Sequence, residues 1–151
     1  MLKFGWAEVD ITPKKGTKIG LAGQFFERIT DEVESPIAVT ALTIESGNDY
    51  VIMCACDLVY VADNLNKRVK ERLAKDGIIN PEKVIISAIH THTSYVYTNK
   101  SSIASIGSFD YLKKVIPEDM QYKPLVSNEE RMNPDDALEF IANKIVEDFL
   151  S

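Results

Sequence analysis

The sequence predicts an α/β fold: a mixed β-sheet that contains a βαβ unit and is flanked by helices. Three observations carry this expectation. Apolar, β-branched runs at residues 37–45, 50–56 and 83–89 read as strands. The turn residues Ser46-Gly47-Asn48-Asp49 leave room only for an antiparallel hairpin between the first two runs. Between the last two runs, Leu65, Val69 and Leu73 recur every four residues, the mark of an amphipathic helix. Strand, helix and strand within about forty residues make a βαβ unit, whose strands are parallel.

The elements follow in order. Phe4 to Ile11, with Trp6 and Val9, reads as a first strand closed by Thr12-Pro13, because proline donates no ladder hydrogen bond. Residues 14–26 form a loop whose Gly16, Gly20 and Gly23 lack the spacing of a dinucleotide or phosphate loop. Gln24, Glu27 and Arg28 read as solvated loop polarity. Residues 37–45 and 50–56 give the hairpin. The second of these, Tyr-Val-Ile-Met-Cys-Ala-Cys, has no polar alternation, which predicts burial on both faces. Cys54 and Cys56 share a side of that strand and read as buried free thiols, since a disulfide at this spacing is sterically disfavoured.

The helix spans Val61 to Lys75, with Gly77 as its left-handed stop. Residues 95–108 read as a mobile loop beside a pocket, 109–116 as a short helix stopped by Pro117, and 121–132 as an irregular connection. Asn133-Pro134-Asp135-Asp136 is a strong helix start, followed by the apolar stripe Leu138, Ile141, Ile145 and Phe149. No repeat, linker or second-domain boundary interrupts residues 1–151, which read as a single domain.

Composition narrows the function classes. The apolar fraction of 45% and charged fraction of 26% are those of an ordinary globular protein. A net charge of −6 argues against nucleic acid and anionic membrane surfaces as partners. No stretch is long and apolar enough for a transmembrane segment, and the N-terminus lacks a signal-peptide core, so a cytoplasmic location is expected.

The apolar run at 83–89 leads into His90-Thr91-His92-Thr93-Ser94, and His90 and His92 are the chain's two histidines. Side chains two apart share a face of an extended chain, so both imidazoles can address one metal ion or one substrate. Asp57 ends the preceding parallel strand. Ligands in open α/β sheets bind beyond the carboxyl ends of strands, so Asp57 and the histidines are expected at one edge. Asp57 could serve as a ligand or orient an imidazole through its second nitrogen. A metal-free alternative uses Thr91, Thr93 and Ser94 as donors to a small molecule or anion. A further alternative is a non-catalytic domain that assembles with another chain, including a homo-oligomer.

Asp10-Ile11-Thr12-Pro13, Gly20-Leu21-Ala22-Gly23-Gln24, Ala55-Cys56-Asp57-Leu58 and Ile86-Ser87-Ala88-Ile89-His90-Thr91-His92-Thr93 resemble, in this order, the N-terminal part of the neutral/alkaline non-lysosomal ceramidase family. The resemblance covers residues 4 to 94; the rest is similar to bacterial relatives. It implies a zinc-dependent amidase that cleaves the N-acyl bond of a small-molecule or lipid amide. His90 is then a zinc ligand, His92 binds or polarises the scissile amide, and Asp57 supports the histidines from behind. Two departures stand out. The family motif continues into Gly-Pro where this chain has Ser94-Tyr95. The family's other ligands, a second histidine, a glutamate and a tyrosine, lie far downstream, whereas this chain has no third histidine. With a final helix that runs to the last residue, the sequence reads as the N-terminal part of a longer catalytic domain with an incomplete active site.

Overall fold

The computed structural model of the chain describes residues 1–22, 28–97, 117 and 130–150. Strands β1 (Leu2–Asp10), β4 (Ala38–Ser46), β5 (Asp49–Cys56) and β6 (Val84–Ala88) form a four-stranded sheet in the order β1-β4-β5-β6. A short pair, β2 (Ile19–Gly20) with β3 (Ile29–Thr30), stands apart in the glycine-containing loop. Helix α1 (Asp63–Asp76) connects β5 to β6, and α2 (Pro134–Leu150) closes the described chain.

The topology is the expected mixed sheet. β4 and β5 form an antiparallel hairpin over the turn at Gly47, whose φ of 63° suits glycine. β5 and β6 are parallel, with Cys56 opposite Ala88, so α1 is the crossover of a βαβ unit. β1 adds antiparallel to β4, with Trp6 opposite Leu42.

Helix α1 buries Leu65, Val69 and Leu73 and stops at Gly77, whose φ is 78° and whose N–H donates to the Leu73 carbonyl at 2.9 Å. It starts at Asp63, two residues later than the periodicity predicts. The chain before it is held extended, because the Tyr97 hydroxyl accepts from Ala62 N at 2.8 Å. Helix α2 has the expected cap: Asn133 Oδ1 accepts from Asp135 N at 2.8 Å. Arg68 and Arg72 of α1 both pair with Glu139 of α2, tying the helices side by side.

The core lies between these two helices and one face of the sheet. It includes Val39, Ala41, Ile52, Cys54, Cys56 and Val84 from the sheet, and Leu138, Ile141, Ala142 and Ile145 from α2. Cys54 and Cys56 are free and buried, their sulfurs 3.7 Å apart. Their contact and their burial push the Cys54 thiol far above the usual range.

The expectation that β5 is buried on both faces is corrected. Among the described residues both helices pack on one face, and Met53 on the other is exposed. A uniformly apolar strand has a buried and an unburied side here because its length carries no information about how many layers cover it. The expected helix at 109–116 lies outside the described residues, as do 98–108, 121–129, Gln24 and Glu27.

Candidate functional site

The parallel pairing of β5 and β6 brings the chain after Cys56 and the chain after Ala88 to one edge of the sheet. Main-chain hydrogen bonds carry the pairing beyond both strands: Ile89 N donates to Cys56 O at 3.1 Å and Thr91 N to Leu58 O at 3.0 Å. His90 is bracketed by these two bonds. Its φ is 70°, a left-handed conformation that costs a side chain about 1 kcal/mol or more and that collects at functional positions.

The imidazole of His90 explains how that conformation is held. Its Nδ1 lies 2.7 Å from the Val59 carbonyl oxygen. A carbonyl only accepts, so Nδ1 carries the proton and Nε2 of the neutral ring keeps its lone pair. His92 Nε2 lies 3.0 Å from His90 Nε2, with the rings edge to face at 4.6 Å between centroids. His92 is therefore the donor of that pair. Both residues are exposed to solvent.

Asp57 reaches the same edge, but its carboxylate does not hold a histidine. Asp57 Oδ2 accepts from Ala38 N at 2.8 Å, while Asp57 N donates to Ala38 O at 2.9 Å. This reciprocal pair closes the end of the β4–β5 hairpin and takes up one carboxylate oxygen. The supporting position that the sequence assigns to Asp57 is filled by the Val59 carbonyl.

Three side chains that sequence reading passes over hold the histidine loop from its other side. Arg28 Nη2 donates to His92 O at 2.7 Å and to Ala22 O at 3.1 Å, so it is a strap between two loops rather than solvated polarity. The strap is extended by Ala22 N donating to Ser94 O at 2.8 Å and by the Leu21–Tyr95 bridge. Tyr95 and Tyr97 are buried, which corrects the reading of a mobile loop for residues 95–97. The Tyr95 hydroxyl donates to Ile11 O at 2.9 Å, and the Tyr97 hydroxyl to Tyr60 O at 2.6 Å. Burial raises both phenols well above the usual tyrosine range, so they remain donors. Their i, i+2 spacing is the sequence signal for a shared buried side; nothing in a sequence marks the Val59 carbonyl.

The donors of the metal-free alternative are placed differently from one another. Thr91 N is taken by Leu58, and Ser94 is wholly buried. A cleft of about 1150 Å³ opens beside Thr93, lined by Asp10, Lys14, Asp31, Glu34 and others, and neither histidine lines it.

Among the described residues at this edge, His90 and His92 carry ring nitrogens of the kind that hold a metal. His90 Nε2 has the lone pair that zinc requires, while His92 Nε2, 3.0 Å away, carries the proton between the two rings. Among the described residues no third histidine, cysteine or carboxylate completes a metal-binding group with them.

No family model matches the sequence, and no curated protein matches it. Solved structures do. Neutral ceramidase from Pseudomonas aeruginosa superposes with a TM-score of 0.69 at 19% identity, covering 99% of this chain and 21% of that one. A structure described as ceramidase complexed with C2 superposes with a TM-score of 0.62 at 17% identity, covering 97% and 20%. The chain thus has the fold of a ceramidase region and spans about a fifth of the length of these relatives.

Proposed function

We propose that this chain contributes the histidine arm of a zinc-dependent, ceramidase-like amide hydrolase acting on an N-acyl amide of a small molecule or lipid. The observation that carries the reading is the paired imidazole geometry, with His90 Nδ1 fixed by a carbonyl and Nε2 left as a lone-pair donor beside His92. The ceramidase fold around it favours the amide bond over other targets.

In this reading His90 is a metal ligand through Nε2. His92 Nε2–H, which donates to His90 Nε2 in this arrangement, would be available to the acyl oxygen of a bound amide if a metal took that lone pair. Arg28, through His92 O, keeps that ring beside its partner. Asp57 acts at a distance, by fixing where β5 ends. Bound zinc would supply Lewis acidity and a water of lowered pKa. A catalytic zinc usually takes three protein ligands, so the remaining ones are assigned outside the described residues.

Calorimetric titration with zinc tests the assignment. The wild-type chain is expected to bind one zinc, and His90→Ala to weaken binding more than 100-fold, beyond the 10–100-fold typical of a supporting partner. His92→Ala is expected to retain zinc and to lose amide hydrolysis once the full ligand set is present. Wild-type affinity in His90→Ala would overturn the reading.

A further inference from the structure

The sheet has a second face, and its composition is set by the strand register. Trp6, Leu42, Met53 and Ile85 are partners in one row across all four strands. Phe4, Ile44 and Val51 form the next row. Residues paired in register point the same way, so both rows lie on the face opposite α1 and α2.

This face is apolar and, at the described residues, exposed. Trp6 is 82% exposed, Phe4 60%, Ile85 55%, Met53 47% and Leu42 39%. Two aromatics and several aliphatics at such exposure present roughly 600–800 Å² of apolar surface, above the 300–600 Å² of the largest patch on a typical monomer. The row beyond, Glu8-Thr40-Ala55-Ser87, is small and carries a single charge. The row on the other side, Leu2-Ser46-Asp49, carries its one charge at Asp49, and the two apolar rows themselves contain no ionisable side chain.

We propose that a second copy of this chain covers the face, in a two-fold dimer packed sheet against sheet. The area fits: two such faces bury about 1,200–1,600 Å², the size of a stable specific interface. The shape fits as well, since twisted sheets of one hand stack face to face with strands about 30° apart, and an identical chain supplies an identical twist. A two-fold interface uses the same patch twice, so one apolar face suffices for both partners. The net charge of −6 opposes association, and Glu8 and Asp49 flank the two apolar rows, a repulsion that physiological salt screens. The inference does not depend on the metal-site reading.

Trp6 is the chain's single tryptophan and, on the edge strand β1, lies within the proposed interface. Light scattering and tryptophan emission of the wild-type chain, from about 1 to about 100 μM, are expected to show a dimer and a matching blue shift as Trp6 leaves water. Trp6→Glu and Met53→Lys are expected to raise the dissociation constant at least 100-fold with an unchanged far-UV circular dichroism spectrum. A wild-type monomer with solvent-exposed emission at the highest concentration overturns the proposal. So does a dimer whose emission does not shift, or one that persists in folded variants. If a variant does not fold, the wild-type emission series decides alone.

Discussion

Ile145→Ala is expected to lose about 3–4 kcal/mol of folding stability, a large share of the 5–15 kcal/mol typical of a domain. Ile145 is wholly buried on α2, in the core that also contains Leu65, Val69 and Leu73 of α1 and Val39 and Cys54 of the sheet. Removing its outer carbons forfeits their transfer free energy and leaves a cavity that two helices and a sheet, tied by the Arg68 and Arg72 pairs with Glu139, cannot easily close. Ile78→Ala is the control: its side chain is exposed, so the change should stay within about 0.5 kcal/mol. Urea unfolding of both variants checks the contrast, with equal midpoints arguing against the described core.

Asp148→Asn is expected to stabilise the protein at neutral pH by about 2 kcal/mol, a rise of roughly 4–8 °C in Tm. Asp148 is buried near the end of α2. Burial, and to a lesser degree the charge of Glu8, push its carboxyl up to about 6 from an ordinary 3.8. Because the folded state holds the proton more tightly than the unfolded chain, this group destabilises the fold as pH rises from about 4 to 6, and the loss persists above that. The amide carries no charge at any of these values. Thermal unfolding of both proteins at pH 4, 5, 6 and 7 should therefore show curves that diverge as pH increases. Equal or lower stability of the variant at pH 7 would mean that the ionised carboxylate is favourably held.

Much of the fold is legible because it rests on patterns that local chemistry enforces. The hairpin follows from Gly47 between two β-branched runs, the crossover from the four-residue recurrence of Leu65, Val69 and Leu73, and α2 from Asn133-Pro134. The common edge of Asp57 and His90 follows from the parallel pairing that a βαβ unit imposes. What the residues do at that edge was less accessible. Asp57 looks like a second support for histidine, yet the nearest main-chain donor, Ala38 N, takes its carboxylate. The atom that orients His90 belongs to the main chain of Val59, where any side chain would serve. Arg28 is remote in sequence from His92 and meets it only because β2 and β3 fold that loop back. The open apolar face shows the same limit: Met53 and Cys54 alternate in an unbroken apolar run, and only tertiary packing distinguishes the exposed side from the buried one.

The most direct test of the proposed centre is the protonation pattern of its two rings. With two histidines in the chain, a long-range ¹H–¹⁵N spectrum resolves both, and His92→Ala assigns them. The account predicts that His90 carries its proton on Nδ1 without metal, and that added zinc shifts the Nε2 resonance of His90 while Nδ1 stays protonated. A His90 ring protonated on Nε2 alone, or zinc engaging its Nδ1, would contradict the account.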